Sequence, residues 1–175
     1  MEIDWDDDGC EDQTFADPNI RVEYEAALGR LILAHNEVDF RLAKALERVV
    51  MRIAPDGSLM KFAAGSFNQR LDNLELFQQA SANHRPVMVD VARLRELNTI
   101  RNHVAHGHFD QNPYDGRFEI IGDGRGSKKV RPNYSTSGLL DATKALSAIA
   151  SILMAYEIFG DLPRTYVLPS EATPA

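Results

Sequence analysis

Apolar residues recur at alternating spacings of three and four along the first third of the chain. Between Arg21 and Ile53 this stripe comprises Leu28, Leu31, His35, Val38, Leu42, Ala45 and Val49. Such spacing predicts one long helix that buries a single face against a partner. Asp17 before Pro18 predicts its start, with Asp17 as the cap, and Pro55-Asp56-Gly57 predicts its end. Gly29 predicts a kink or a division of this helix.

The same periodicity predicts three further helices. The second covers Leu59 to Ala80, and the third runs from Val87 to about Val104, opened by Pro86 and ended by Gly107. The last covers Leu139 to Phe159, with Ser137 as its cap.

A segment rich in glycine and proline, residues 107–136, separates the third and last helices. Within it, Arg117–Ile121 and Lys128–Arg131 predict two short strands of one hairpin. The fold class is therefore all-α: a four- to five-helix antiparallel bundle with a short β-hairpin insertion before the last helix. The predicted divisions are an acidic leader over 1–17, a helical domain over 18–160 and a tail over 161–175.

The cysteine content is typical of a protein from a reducing compartment. The single cysteine, Cys10, excludes an internal disulfide. The acidic N-terminal residues are unlike a secretory signal. The longest apolar segment, 145–159, is shorter than the ~20 residues that span a bilayer, which favours a core helix. We therefore expect a cytoplasmic protein with no membrane association.

Charge is distributed unevenly along the chain. The formal net charge is −7, but residues 1–17 hold eight acidic side chains and no lysine or arginine, so residues 18–175 carry +1. Such a block of like charge is typical of a solvated tail. The alternative is that the leader imitates RNA in a basic groove. Because residues 18–175 are nearly neutral, the negative charge of the whole chain does not exclude a nucleic-acid partner.

The end of the third helix combines residues suited to phosphodiester chemistry. Asn102 and His106 lie four residues apart and share a helix face, and Arg101 lies beside Asn102. A neutral imidazole accepts a proton near physiological pH, here the proton of an RNA 2′-hydroxyl. A guanidinium matches phosphate oxygens and stabilises the transition-state charge, and no metal or other cofactor is required. Two copies related by a twofold axis would supply two imidazoles, which favours a homodimer.

Arg101-Asn102-His103-Val104-Ala105-His106-Gly107 resembles the Arg-polar-x-x-x-His signature of HEPN domains, and the first long helix is similar to that family's first core helix. HEPN domains are helical bundles found in toxin–antitoxin, abortive-infection and CRISPR-linked ribonucleases. The resemblance implies a metal-independent endoribonuclease that cleaves single-stranded RNA, a toxin or phage-defence effector with a cognate antitoxin or defence-system partner. It implies that Arg101 and His106 are catalytic, that Asn102 orients them, and that Glu37 and His103 support the site.

Other interpretations of these residues stay open. One alternative is that the motif belongs to an inactive HEPN-like domain that binds a protein or nucleotide and dimerises. In that case Arg101, Asn102 and His106 only close a helix. His103, His106 and His108 with Asp110 are a weaker candidate for a metal site. The hairpin region offers five cations for RNA, although an ordinary solvated hairpin is the favoured explanation for them: Arg117, Arg125, Lys128, Lys129 and Arg131. His35, on the apolar stripe, predicts a hydrogen-bonded core histidine.

Overall fold

The computed structural model describes residues 16–79, 87–122, 129–131 and 134–159. The acidic residues 1–15 and the predicted tail lie outside these ranges. The described chain forms four α-helices, a short 3-10 helix at Met60–Phe62, and three strands between α3 and α4. The elements are α1 (Pro18–Ile53), α2 (Phe67–Gln79), α3 (Val91–Ala105), β1 (His108–Gln111), β2 (Phe118–Gly122), β3 (Lys129–Arg131) and α4 (Thr136–Phe159).

The long first helix is confirmed, together with its start. The Asp17 carboxylate accepts a hydrogen bond from the Asn19 backbone N–H at 2.8 Å, and Pro18 occupies the first turn. The division of the helix expected at Gly29 is wrong, because α1 is a single helix of 36 residues that includes this glycine. Its predicted inner stripe is buried except Leu28, which is partly buried.

Helix α4 packs along α1 and closes the core. Leu139, Leu146 and Leu153 are fully buried on its inner face. Near its C-terminal end, polar contacts fix the pair: Arg41 Nη1 donates to the Glu157 carboxylate at 2.8 Å, and Arg52 Nη2 donates to the Tyr156 hydroxyl at 2.7 Å.

Helix α4 begins at Thr136, earlier than predicted. Its cap is Ser135 rather than Ser137, because the Ser135 Oγ accepts the Gly138 N–H at 3.1 Å. This helix is long and apolar enough to cross a membrane by length and composition alone. One face of it packs against α1, and the core helix of a soluble protein passes the same test.

Helices α2 and α3 both begin later than predicted. A capping box explains α2: the Gln69 N–H donates to Ser66 Oγ at 3.4 Å, and the Ser66 N–H donates to Gln69 Oε1 at 2.8 Å. Helix α3 starts after Asp90, whose carboxylate accepts the Arg93 N–H at 2.9 Å. Val87 and Val89 are buried in a non-helical approach to α3. Pro86, the predicted opening residue, lies outside the described residues.

The strands form one antiparallel sheet in the order β1-β2-β3. The predicted β2–β3 pairing is confirmed, with Ile121 opposite Val130, while strand β1 was not predicted. The sheet joins the bundle through Ile120, which is fully buried, and through Phe118, whose ring stacks on Tyr24 of α1 at 4.1 Å between centroids. It therefore lies beside the end of α3 that carries the motif.

Candidate functional site

The motif residues occupy the last turn and a half of α3. Arg101 and Asn102 are helical, α3 ends at Ala105, and His106 is the C-terminal cap. The His106 backbone N–H donates to the Asn102 carbonyl at 3.2 Å, so the helical path continues to the cap. The exposed His106 side chain therefore stands at the end of the helix, where a large ligand can reach it.

Arg101 is half-buried and held by one neighbour. Its Nη1 donates to the Asn102 Oδ1 at 3.1 Å, while its Nε is buried and has no hydrogen-bond partner. In the described part of the chain it forms no ion pair. A partly desolvated cation without a carboxylate is electrostatically suited to an anion.

The structure brings together part of the predicted trio. Asn102 contacts the Arg101 guanidinium as expected. The His106 ring hydrogen bonds with no side chain in the described ranges, so the structure does not join it to Arg101. The two functional groups share one helix end rather than one hydrogen-bonded network. A substrate phosphate would have to bridge them.

A buried polar cluster behind Arg101 includes residues that were not predicted as part of the site. His35 on α1 and Asn98 on α3 are only 4% and 7% exposed, and the His35 Nε2 lies 3.0 Å from the Asn98 Oδ1. The Asn98 Nδ2 donates to the Asn68 Oδ1 of α2 at 2.9 Å. The cluster thus links three helices, and the expectation of a hydrogen-bonded core histidine at His35 is confirmed. Asn98, one turn before Arg101, was the signal available in the sequence.

His35 is electrostatically coupled to the motif. Burial lowers the pKa of His35 below its ordinary value, because the charged imidazolium loses its hydration. The nearby Arg101 charge lowers that pKa further, while Asn98 and Asp39 oppose the shift. The His35 Nδ1 is buried and has no hydrogen-bond partner.

The His103 side chain contacts an aromatic residue outside α3. Its Nδ1 is 2.8 Å from the Tyr134 hydroxyl, and the two rings stack with centroids 6.1 Å apart. This contact ties α3 to the segment that enters α4. These two contacts with Tyr134 support a structural role for His103.

The described contacts of Glu37 are with α1 and α4. It pairs with Arg41 at 2.7 Å and lines a groove of about 250 Å³ between α1 and α4. The other lining residues are Ala34, Ser147, Ala150, Ser151 and Met154. Glu37 is two residues from His35 and so lies on a different face of α1, and its supporting role at the motif stays a prediction.

Only one of the five hairpin cations has a described side chain. Arg117 is 81% exposed, and its Nε lies 3.6 Å from the Asp115 carboxylate. Arg125 and Lys128 lie outside the described residues, as do the side chains of Lys129 and Arg131. A basic RNA-binding patch on this hairpin stays a prediction.

The described ranges hold no group of three histidine, cysteine or acidic residues arranged to bind a metal ion, which leaves the histidine-cluster interpretation without support there. Comparison of the chain with protein-family models, curated proteins and solved structures finds no match in any of the three. The motif and its geometry are therefore the basis on which a function can be assigned.

Proposed function

We propose that this protein is a metal-independent endoribonuclease of the HEPN type that cleaves single-stranded RNA. The observation that carries the proposal is the Arg101 guanidinium, which is half-buried, held by Asn102 and without an ion-pair partner among the described residues. It lies on the same helix end as the exposed His106 imidazole. Phosphodiester cleavage requires a base and, beside it, a cation that can bind the phosphate.

In the proposed reaction, His106 takes the proton from an RNA 2′-hydroxyl. The 2′-oxygen then forms a bond to phosphorus as the bond from phosphorus to the 5′-oxygen breaks. Arg101 stabilises the negative charge that develops on the phosphate oxygens. The products are a 2′,3′-cyclic phosphate and a 5′-hydroxyl, so no water is consumed in this step.

The leaving 5′-oxygen needs a proton, which a second imidazole would donate. We propose that a second copy of the chain supplies its own His106 across a twofold axis, as part of a homodimer. A cytoplasmic location, and a role as a toxin or phage-defence effector with a cognate partner, belong to the same proposal.

Cleavage of a fluorescent single-stranded RNA by the purified protein in excess chelator tests this function. We expect products ending in a 2′,3′-cyclic phosphate and a loss of about 100-fold or more in rate for Arg101→Ala. Arg93→Ala is the matched control, because Arg93 is an exposed arginine of the same helix paired with Glu96. Products with a 3′-hydroxyl, or equal losses in both variants, would contradict the proposal.

The alternative is an inactive HEPN-like module that binds a protein or nucleotide. The lack of a hydrogen bond between the His106 ring and any described side chain favours it, since no described side chain then orients that imidazole. It predicts no turnover, and loss of binding in Arg101→Ala. Nucleotide binding measured by calorimetry alongside the cleavage assay distinguishes the two functions.

A further inference from the structure

Two nitrogen atoms of the cluster behind the motif are buried without a hydrogen-bond partner: the His35 Nδ1 and the Arg101 Nε. Burying a polar atom without a partner costs about 1–3 kcal/mol, so such atoms are uncommon in a folded core. Two such nitrogen atoms in one cluster therefore indicate a common cause.

The hydrogen bonds on the far side of the imidazole determine its tautomer. The Asn98 Nδ2 donates to Asn68, so the Asn98 Oδ1 is the atom that faces His35. The His35 Nε2 must therefore carry the hydrogen and donate it. In the neutral ring this leaves a lone pair on Nδ1, which makes that atom an acceptor.

The Arg101 Nε–H is the complementary group, because a guanidinium nitrogen can only donate. Arg101 follows Asn98 by three residues and lies on the same face of α3, one turn further along. The Arg101 charge acts directly on His35, and burial keeps that imidazole neutral, as an acceptor must be. An acceptor and a donor that both lack a partner among the described residues thus lie in the same buried cluster. They are not bonded to each other in this structure, so the bond requires a rotation of the Arg101 side chain.

We propose that His35 positions Arg101 by accepting the Arg101 Nε–H on its Nδ1. This hydrogen bond and the Asn102 contact would fix the guanidinium at two points and leave its remaining Nη hydrogens for the scissile phosphate. The inference extends the proposed nuclease function, since it names the residue that orients the phosphate-binding cation. His35 would not touch the substrate, so it is a positioning residue.

Two amide variants separate the roles of the two ring nitrogens. In asparagine the polar atoms are one bond from Cγ, as Nδ1 is, whereas in glutamine they are one bond further, as Nε2 is. His35→Asn therefore keeps an acceptor for Arg101 and loses the Asn98 contact, and His35→Gln does the reverse. We expect His35→Gln to lower the single-turnover cleavage rate by about 10- to 100-fold and His35→Asn to retain most of it.

Nuclear magnetic resonance of the wild-type protein without RNA gives a test that needs neither activity nor a variant. We expect the His35 ring to be protonated at Nε2 alone, and the Arg101 Nε–H to exchange with water at least tenfold more slowly than that of Arg93. Acidification that protonates His35 should abolish this protection. Other charged groups that bear on His35 are Asp39 of α1, which raises its pKa, and Arg70 of α2, which pairs with Asp39.

The outcomes of the two experiments are separable. An Nδ1-protonated His35, or an Arg101 Nε–H that exchanges as fast as that of Arg93, would overturn the positioning role even if the protein cleaves RNA. Slow exchange in a protein that does not cleave RNA would retain the positioning role and reject the nuclease. Equal cleavage losses in folded His35→Asn and His35→Gln would also count against the inference.

Discussion

At the scale of single residues, a buried chain of polar side chains from α1, α2 and α3 lies next to the motif in α3. Arg101, Asn102 and His106 were identified from their types and spacing alone. The Asn68–Asn98–His35 chain depends on three helices meeting, and the separation of these residues along the sequence conceals it. A periodic pattern shows that His35 faces the core but not which polar group meets it there.

The buried His35 makes stability depend on pH. Because its pKa is lowered in the folded protein, the unfolded chain binds more protons below an ordinary pKa of about 6.5. The contribution is therefore complete above that pH and is lost as the pH falls towards the folded pKa. We expect urea unfolding to show a free energy that declines as the pH falls below about 6.5 in wild type, and less steeply in His35→Asn. Equal slopes would contradict this account of His35.

At the scale of elements, helices with an amphipathic stripe were predicted well and their starts less well. The starts of α2 and α3 are set by Ser66 and Asp90, whose caps override the apolar pattern before them. Strand β1 was missed because its residues are mostly exposed and show no alternation, so its register comes from pairing with β2.

The junction between α3 and the sheet depends on a small residue at Gly107. A Cβ there would overlap Ile120 of β2 and approach the His103 carbonyl oxygen to 2.7 Å. Ile120 is fully buried and cannot yield easily. We expect Gly107→Ala to destabilise the protein by about 1–3 kcal/mol, measured by chemical denaturation.

Gly29 provides the matched control in helix α1. A Cβ at this position meets no atom within 4 Å. Gly29→Ala should therefore stabilise the protein by about 0.5–1 kcal/mol through helix propensity. If both alanine variants change stability in the same direction, the close approach of Gly107 to β2 does not constrain the junction.

At the scale of the whole molecule, the bundle leaves apolar surface uncovered. Leu33 and Phe40 of α1 and Met154 and Ile158 of α4 are exposed, and only 33% of the most apolar stretch of α4 is buried. Exposed apolar surface of this kind favours association with another molecule. The sequence predicted the core stripes but not this exposed surface, because single-chain periodicity does not distinguish a second interface from a core.

The proposed reaction requires a dimer. We expect light scattering during size-exclusion chromatography to give twice the 19.5 kDa mass of one chain at the concentrations used for cleavage. The physical reason is that one chain offers a single motif imidazole, while the attacking and leaving oxygens need a base and an acid. A monomer that cleaves RNA at the same rate per chain would refute the composite site.

In the proposed reaction, the exposed His106 imidazole takes the proton from the RNA 2′-hydroxyl. The most direct measurement of this step is the single-turnover cleavage rate of His106→Ala in chelator, with His108→Ala, an exposed histidine two residues away, as the control. We predict a loss of about 100-fold or more for His106→Ala and little change for His108→Ala. Undiminished cleavage by His106→Ala would contradict this role of the imidazole.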